Sequence, residues 1–376
     1  MIIRNVQIFS ENRTFTQGDI IVYNRKFAET SLQNEEIIDG HGWYAIPGLI
    51  DIHFHGCAGY DFCDGTEEAL EKMSAYEASV GVTGICPASM TIEESQLYQA
   101  MKNAGEYTCH GGAKLEGIHM EGPFISEKKK GAQAAEHIRT CDLKLYQRLQ
   151  EASGGQIRIV DIAPETEGAM PFIAAVKDEA VISLAHTTAD YDTAMEAFSS
   201  GASHVTHLFN AMPPFHHRDP GVIGAAADTK ECRVELICDG IHVHSAMVRA
   251  AFSLFGPDRI ILISDSMRAT GLADGQYTLG GKDVHVQGKR ATLSDGTIAG
   301  SVTSLMGCVQ TAVKQMGIPL ADAVACATIN PAKEIGKYDH CGSITPGKDA
   351  DLVLLDENLQ VRAVYIDGIL QKDILI

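Results

Sequence analysis

Eight short apolar runs, each followed by polar residues and then a stretch of helical periodicity, recur between Leu49 and Ile263 and limit what this chain can fold into. They are Leu49–Ile52, Gly84–Pro87, Leu115–His119, Ile157–Ile162, Val181–Ala185, His204–Leu208, Val234–Cys238 and Ile260–Ile263. Intervening segments such as Glu67–Val80, Asp190–Ser200 and Ser245–Phe255 carry the 3.6-residue period of an amphipathic helix. Eight strand–helix units of this size predict an α/β fold, a closed parallel (β/α)8 TIM-like barrel. An open doubly wound sheet is the alternative, but no GxGxxG follows the first strand.

The two ends read differently. Asn5–Phe9 and Gly18–Tyr23 alternate in the manner of strands, as do Gly342–Ile344, Ala350–Leu355 and Val361–Ile366 between Gly, Pro and Asp turns. At 376 residues the chain exceeds one ordinary core. We therefore expect a small discontinuous β-sandwich domain from residues 1–47 and 340–376, flanking the barrel over 48–339.

Composition narrows the function classes. With 30 basic and 49 acidic residues the net charge is −19, which disfavours nucleic acid and anionic membranes as partners. Any anionic substrate must then be captured by a local basic site. No apolar run approaches the ~20 residues that span a bilayer and no secretory leader is apparent, so a cytoplasmic address is expected. The ten cysteines, at 57, 63, 86, 109, 141, 232, 238, 308, 326 and 341, include no CxxC pair and read as reduced residues.

The polar residues at the ends of the runs carry the chemistry. His53 and His55 end the first run; alternate residues of a strand share a face, so the pair can grip one cation. Glu121 follows run three, His186 run five, His242 run seven and Asp265 run eight, and His207 falls in run six. In a barrel all of these converge on one mouth. Taken singly, His186 could cap a helix and His207 could be a hydrogen-bonded core residue; their joint register argues for a site. His41, His110, His137, His285 and His340 lie in polar or turn contexts and are expected at the surface.

Four segments make the comparison specific: Pro47–Gly56 with its His-Phe-His, Leu115–Phe124 with Glu-Gly-Pro-Phe, His207–Pro213 with His-Leu-Phe-Asn-Ala-Met-Pro, and Cys238–Val243 with Asp-Gly-Ile-His. The chain resembles the amidohydrolase superfamily and, within it, the family of N-acetylglucosamine-6-phosphate deacetylases, along essentially its whole length. The resemblance implies that Glu121, His186 and His207 bind the principal divalent metal and that Asp265 is the general acid–base. It implies a cofactor of zinc, iron or manganese, with one ion or, because His53 and His55 are kept, two that share Glu121. On the substrate side it implies that Asn210 and Ala211 contact a phosphate, that His242 polarises the acetamide, and that Ile298, Ala299 and Gly300 close over the sugar. Ala132 and Gln133 would also touch substrate, although Lys130-Gly131-Ala132-Gln133 departs from members with Thr-His after the glycine. Arg218 matches a phosphate-binding arginine supplied by the neighbouring subunit, which implies a homodimer.

The implied reaction is hydrolysis of the acetamide of N-acetyl-D-glucosamine 6-phosphate to glucosamine 6-phosphate and acetate, a step of amino-sugar metabolism. Rival readings are deacetylation of the N-acetylgalactosamine epimer, cyclic-amide hydrolysis on the same barrel, and an inactive amidohydrolase fold serving as a binding protein. Against the cyclic-amide reading stand the lack of a bridging lysine at a strand end, Lys128, Lys129 and Lys130 being loop residues, and the presence of the Arg218 loop. An inactive scaffold would be expected to have lost ligands.

Overall fold

The computed structural model describes residues 1–30 and 36–371, and thus the two predicted terminal segments apart from 31–35 and 372–376. Its body is built on eight strands: Leu49–Phe54, Val82–Pro87, Ile118–Met120, Ile157–Ile162, Val181–Leu184, His204–Val205, Arg233–Ile237 and Ile260–Ile263. Each overlaps one of the eight apolar runs. Neighbours pair in parallel from the first to the second and from the third through to the eighth. An Ala88–His119 bridge joins the second to the third. The Asp265 amide donates to the His53 carbonyl at 2.9 Å and ties the eighth strand back to the first. The ring is closed.

Strands covered on both faces read as continuous apolar runs, which is why residues such as Leu49, Ile159, Leu236 and Ile261 are fully buried. Ile50, Ile52, Ile159, Ile237, Ile261 and Ile263 form one apolar cluster, distinct from the larger one that includes the helices. The helices begin where the sequence offers caps: Thr66 accepts from the Ala69 amide ahead of Glu67–Ser79, and Asp190 accepts from the Thr193 amide ahead of Tyr191–Ser200. Ser245–Phe255 is helical as expected.

The terminal segments form one hydrogen-bonded sheet of eight strands. Tyr44–Pro47 pairs antiparallel with Leu352–Leu355, so the two ends of the chain meet at the centre of that sheet. Ile3, Val6, Ile20 and Phe27 from one end and Leu352, Leu354 and Tyr365 from the other share a core of their own. Gly342–Ile344 is not a strand, contrary to its apolar look. The Ser343 and Thr345 hydroxyls each donate to Glu11 Oε1 at 2.8 Å, a side-chain staple where a ladder was expected. A further departure follows the eighth strand, where Gly275–Leu279, Lys282–Gln287 and Arg290–Thr292 form a small antiparallel sheet. Its Leu279, Val284 and Val286 cluster with Met90 and Met267.

Candidate metal and catalytic site

The side chains that the sequence singled out gather at the C-terminal ends of the barrel strands, where the backbone is bent to aim them. In the first strand the pairing slips between Asp51 and Phe54, so three residue steps oppose two on the neighbour. A bulge of this kind re-aims side chains beside functional sites. His186, His207 and Asp265 each lie two residues beyond a strand end, and each adopts a left-handed conformation, with φ of 43°, 30° and 48°. That region costs an L-residue on the order of 1–2 kcal/mol. Three such residues on one rim mark a place where geometry has been kept at the expense of backbone ease. Gly122, after Glu121, has φ of 79°, and a Cβ there would lie 2.1 Å from Thr91 Oγ1.

Glu121, His186 and His207 bring three donor atoms together. The Nε2 atoms of His186 and His207 lie 3.0 and 3.2 Å from Glu121 Oε1 and 3.1 Å from each other. Ligands ~2.0–2.1 Å from a tetrahedral divalent ion are ~3.3 Å apart, so the triangle has the right size. Its chemistry fits as well. His186 Nδ1 donates to the Lys129 carbonyl at 2.8 Å, which leaves a lone pair on the Nε2 that faces its partners.

A second group adjoins the first. His53 Nε2, His55 Nε2 and an Asp265 oxygen lie within 4.8 Å of one another. The other Glu121 oxygen, Oε2, is 3.3 Å from His55 Nε2, so this one carboxylate faces both groups. His53 Nε2 is buried with no hydrogen-bond partner among the described residues, 3.6 Å from Glu121 and 4.0 Å from Asp265. A bare nitrogen between two carboxylates is a place for a cation.

The electrostatics agree. Burial alone would raise the Glu121 carboxyl, but its close contacts with His186 and His207 and the charge of His55 hold it well below its usual range. Burial would likewise lower His55; the Asp265 and Glu121 carboxylates outweigh it and raise the imidazole to about 9. Burial pushes Asp265 up, but the hydrogen bond with His55 and the charges of His53 and His55 together outweigh it and hold the group below its usual range, so it stands as a carboxylate able to accept a proton. It is 8% exposed, enough to meet a substrate.

Above these groups is a cavity of about 380 Å3. Glu121, His186, His207, His55 and Asp265 line its metal-facing part, and Ala132, Gln133, Asn210, Ala211, His242, Ile298 and Gly300 line the rest. His242 Nδ1 meets Asp239 Oδ2 at 2.7 Å, and Asp239 Oδ1 accepts the amides of Ile241 and His242. The ring is thereby fixed.

One expectation changes in position. Ala299 is fully buried in the cluster beneath the small inserted sheet, so it supports the 298–300 loop from behind and does not line the cavity. Arg218 lies in a separate cleft with Thr188, Asp190, Tyr191 and Asp219, outside its own chain's catalytic cavity. His53 lies below the cavity floor and is fully buried. The sequence reading passed over Lys128 and Lys129, which it had weighed only as bridging groups, and also Met90, Leu279 and Thr297; all five line the cavity. A Leu-Gly-Gly-Lys turn at 279–282, followed by alternating Val284 and Val286, is the unread signal that could have revealed the inserted hairpin.

Comparison with known proteins agrees with this geometry. The chain matches the amidohydrolase family over residues 44–370. It is 40% identical to the N-acetylglucosamine-6-phosphate deacetylase of Bacillus subtilis (strain 168), over 98% of this chain and 96% of that one. It is 36% identical to an N-acetylgalactosamine-6-phosphate deacetylase of Escherichia coli O157:H7, over 86% of each. Among solved structures, a mutant of the N-acetyl-D-glucosamine-6-phosphate deacetylase from Mycobacterium smegmatis in complex with N-acetyl-D-glucosamine-6-phosphate superposes with a TM-score of 0.91 at 31% identity, covering 99% of both chains.

Proposed function

This chain belongs to the amidohydrolase family and, within it, to the N-acetylglucosamine-6-phosphate deacetylases, and from that premise we propose that it hydrolyses the acetamide of N-acetyl-D-glucosamine 6-phosphate to D-glucosamine 6-phosphate and acetate. The observation that carries the reading is the Glu121–His186–His207 triangle beside Asp265 at the floor of one cavity. A divalent cation, when bound, brings the pKa of water toward neutrality and polarises a carbonyl. Glu121, His186 and His207 would hold the principal ion, and His53, His55 and Asp265 a second one next to the shared Glu121.

The remaining work falls to the chain's own groups. Asp265 accepts the proton of the attacking water and delivers it to the departing amine nitrogen. His242 faces the acetamide oxygen; because Asp239 accepts at Nδ1, its Nε2 donates to that oxygen when the ring is protonated. Asn210 and Ala211 offer backbone contacts to the phosphate, Arg218 of a second copy supplies the cation, Ala132 and Gln133 contact the sugar, and Ile298 and Gly300 close over it. The protein is then a cytoplasmic homodimer, with the segments 1–47 and 340–376 serving as a small domain beside the catalytic one. Among the described residues no helix is long and apolar enough to cross a membrane.

Amine release from N-acetylglucosamine 6-phosphate, measured with and without a chelator, tests the reading. We expect turnover that chelation abolishes and zinc, iron or manganese restores; no release with any metal would overturn it. The galactosamine epimer is the second reading, favoured by the 36% identity to a deacetylase of that sugar, and the same assay ranks the two. Elemental analysis tests the ion count: two ions per chain are expected in the native protein and one when His53 and His55 are both replaced by Ala. A count of one in both would remove the pair from metal binding.

A further inference from the structure

Beneath the cavity floor lies a buried polar chain that the reaction does not use. Glu235 stands at its centre, fully buried in the seventh strand. Its Oε2 accepts the His207 amide at 3.1 Å and meets His53 Nδ1 at 2.9 Å. Its Oε1 faces His204 Nε2 at 3.3 Å and His119 Nδ1 at 3.7 Å. His204 continues to Glu334 at 2.7 Å, and Glu334 to Arg233 at 2.6 Å, so the chain leads from the cavity floor to the partly exposed base of the seventh strand.

Hydrogen-bond accounting then fixes the protons. His119 Nδ1 lies 3.0 Å from the Ile52 carbonyl, an acceptor only, so this nitrogen carries hydrogen. Both His204 nitrogens face carboxylates, Glu235 and Glu334, which favours the doubly protonated ring; burial works against that charge, but the two carboxylates raise the group to about 10. Glu235 Oε2 already accepts the His207 amide, and as a carboxylate oxygen it offers His53 an acceptor only; Oε1 faces His204 and His119 without a hydrogen bond among the described residues. His53 must therefore donate from Nδ1, which leaves Nε2 as a lone pair. That nitrogen is the orphaned one between Glu121 and Asp265. His53, His119 and Glu235 also lie close enough together to suggest a metal group of their own, but the donor hydrogen on His119 Nδ1 points against an ion there.

We propose that Glu235 is the positioning residue that makes His53 a metal ligand, by holding its Nδ1–H, and that through the His207 amide the same carboxylate sets a ligand of the principal site. Without this acceptor, His53 would turn its hydrogen to Nε2 and donate to Glu121 and Asp265, filling the position with a proton. Partners of this kind change metal affinity by ~10–100-fold when lost. The inference rests on the two-ion reading of the preceding subsection.

The test uses full-length protein in two measurements. Nitrogen-15 spectra of the metal-free protein, with His53 assigned by difference against His53→Ala, report which ring nitrogen carries hydrogen. We expect Nδ1–H in the native protein and in Glu235→Gln, which keeps an acceptor oxygen, and Nε2–H in Glu235→Leu. Equilibrium dialysis with Zn2+ should find the second ion bound ~10–100-fold more weakly by Glu235→Leu and nearly normally by Glu235→Gln. An Nε2–H ring in the native protein overturns the proposal, whether or not the Leu variant folds, as does a folded Leu variant with unchanged affinity for the second ion. One ion per chain in the native protein, with Nδ1–H in place, would retire the two-ion reading and with it the ligand role proposed for His53, while the deacetylation assay judges the proposed activity separately.

Discussion

Asp265→Asn should lower turnover by at least ~10²-fold, the scale of general acid–base catalysis, with the fold and the principal ion retained. The substitution is nearly isosteric, and Asn tolerates the left-handed backbone that Asp265 adopts at φ of 48°. What it removes is a carboxylate kept ionised by its contact with His55. An amide cannot take a proton from water or return one to the amine, so the loss should appear in kcat. Steady-state kinetics, with circular dichroism and metal analysis on the same preparation, check this. Near-normal turnover in a folded, metal-loaded variant would exclude Asp265 as the proton carrier.

Arg218→Ala should weaken use of the phosphorylated sugar by ~10–100-fold in kcat/KM, since charge-assisted hydrogen bonds to a guanidinium contribute ~1.5–3 kcal/mol each. Deacetylation of the sugar without phosphate should hardly change. A chain of net charge −19 needs such a cation near a phosphate dianion. Arg218 lies outside its own catalytic cavity, so the expected arrangement is sharing between two copies. Arg218→Ala chains co-refolded with Asp265→Asn chains test that arrangement. In a mixed dimer with shared sites, one site regains both groups and the other carries both defects. About a quarter of native activity should return from an equal mixture, because half the dimers are mixed and each has one whole site. Confirmed mixed dimers as inactive as their parents would exclude sharing.

Much of this was legible in the sequence. The eight apolar runs each overlap a barrel strand because a strand covered on both faces must be apolar throughout, a pattern that survives without knowledge of pairing. The mouth was legible because a barrel brings strand ends together whatever their distance in sequence, so His55, Glu121, His186, His207 and Asp265 could be grouped. Register could not be read. The slip that turns His53 and His55 inward depends on how the first strand pairs with the second, and alternation alone does not encode it. Glu235 and His204 were hidden for a related reason: each sits inside an apolar run and looks like an interruption until its partners across the barrel are known. Gly342–Ile344 misled because Ser343 and Thr345 satisfy themselves on Glu11, more than 300 positions earlier in the chain.

The meeting of Tyr44–Pro47 with Leu352–Leu355 has a consequence for biosynthesis. The two strands are ~300 positions apart, so the first waits, with one edge unpaired, while the whole barrel is made on the ribosome. Until its partner emerges, that edge is a template for strands of other chains. A nascent chain stalled before Leu352 would carry a complete set of barrel strands and yet be the species most exposed to aggregation, and the last strands synthesised act as its cover.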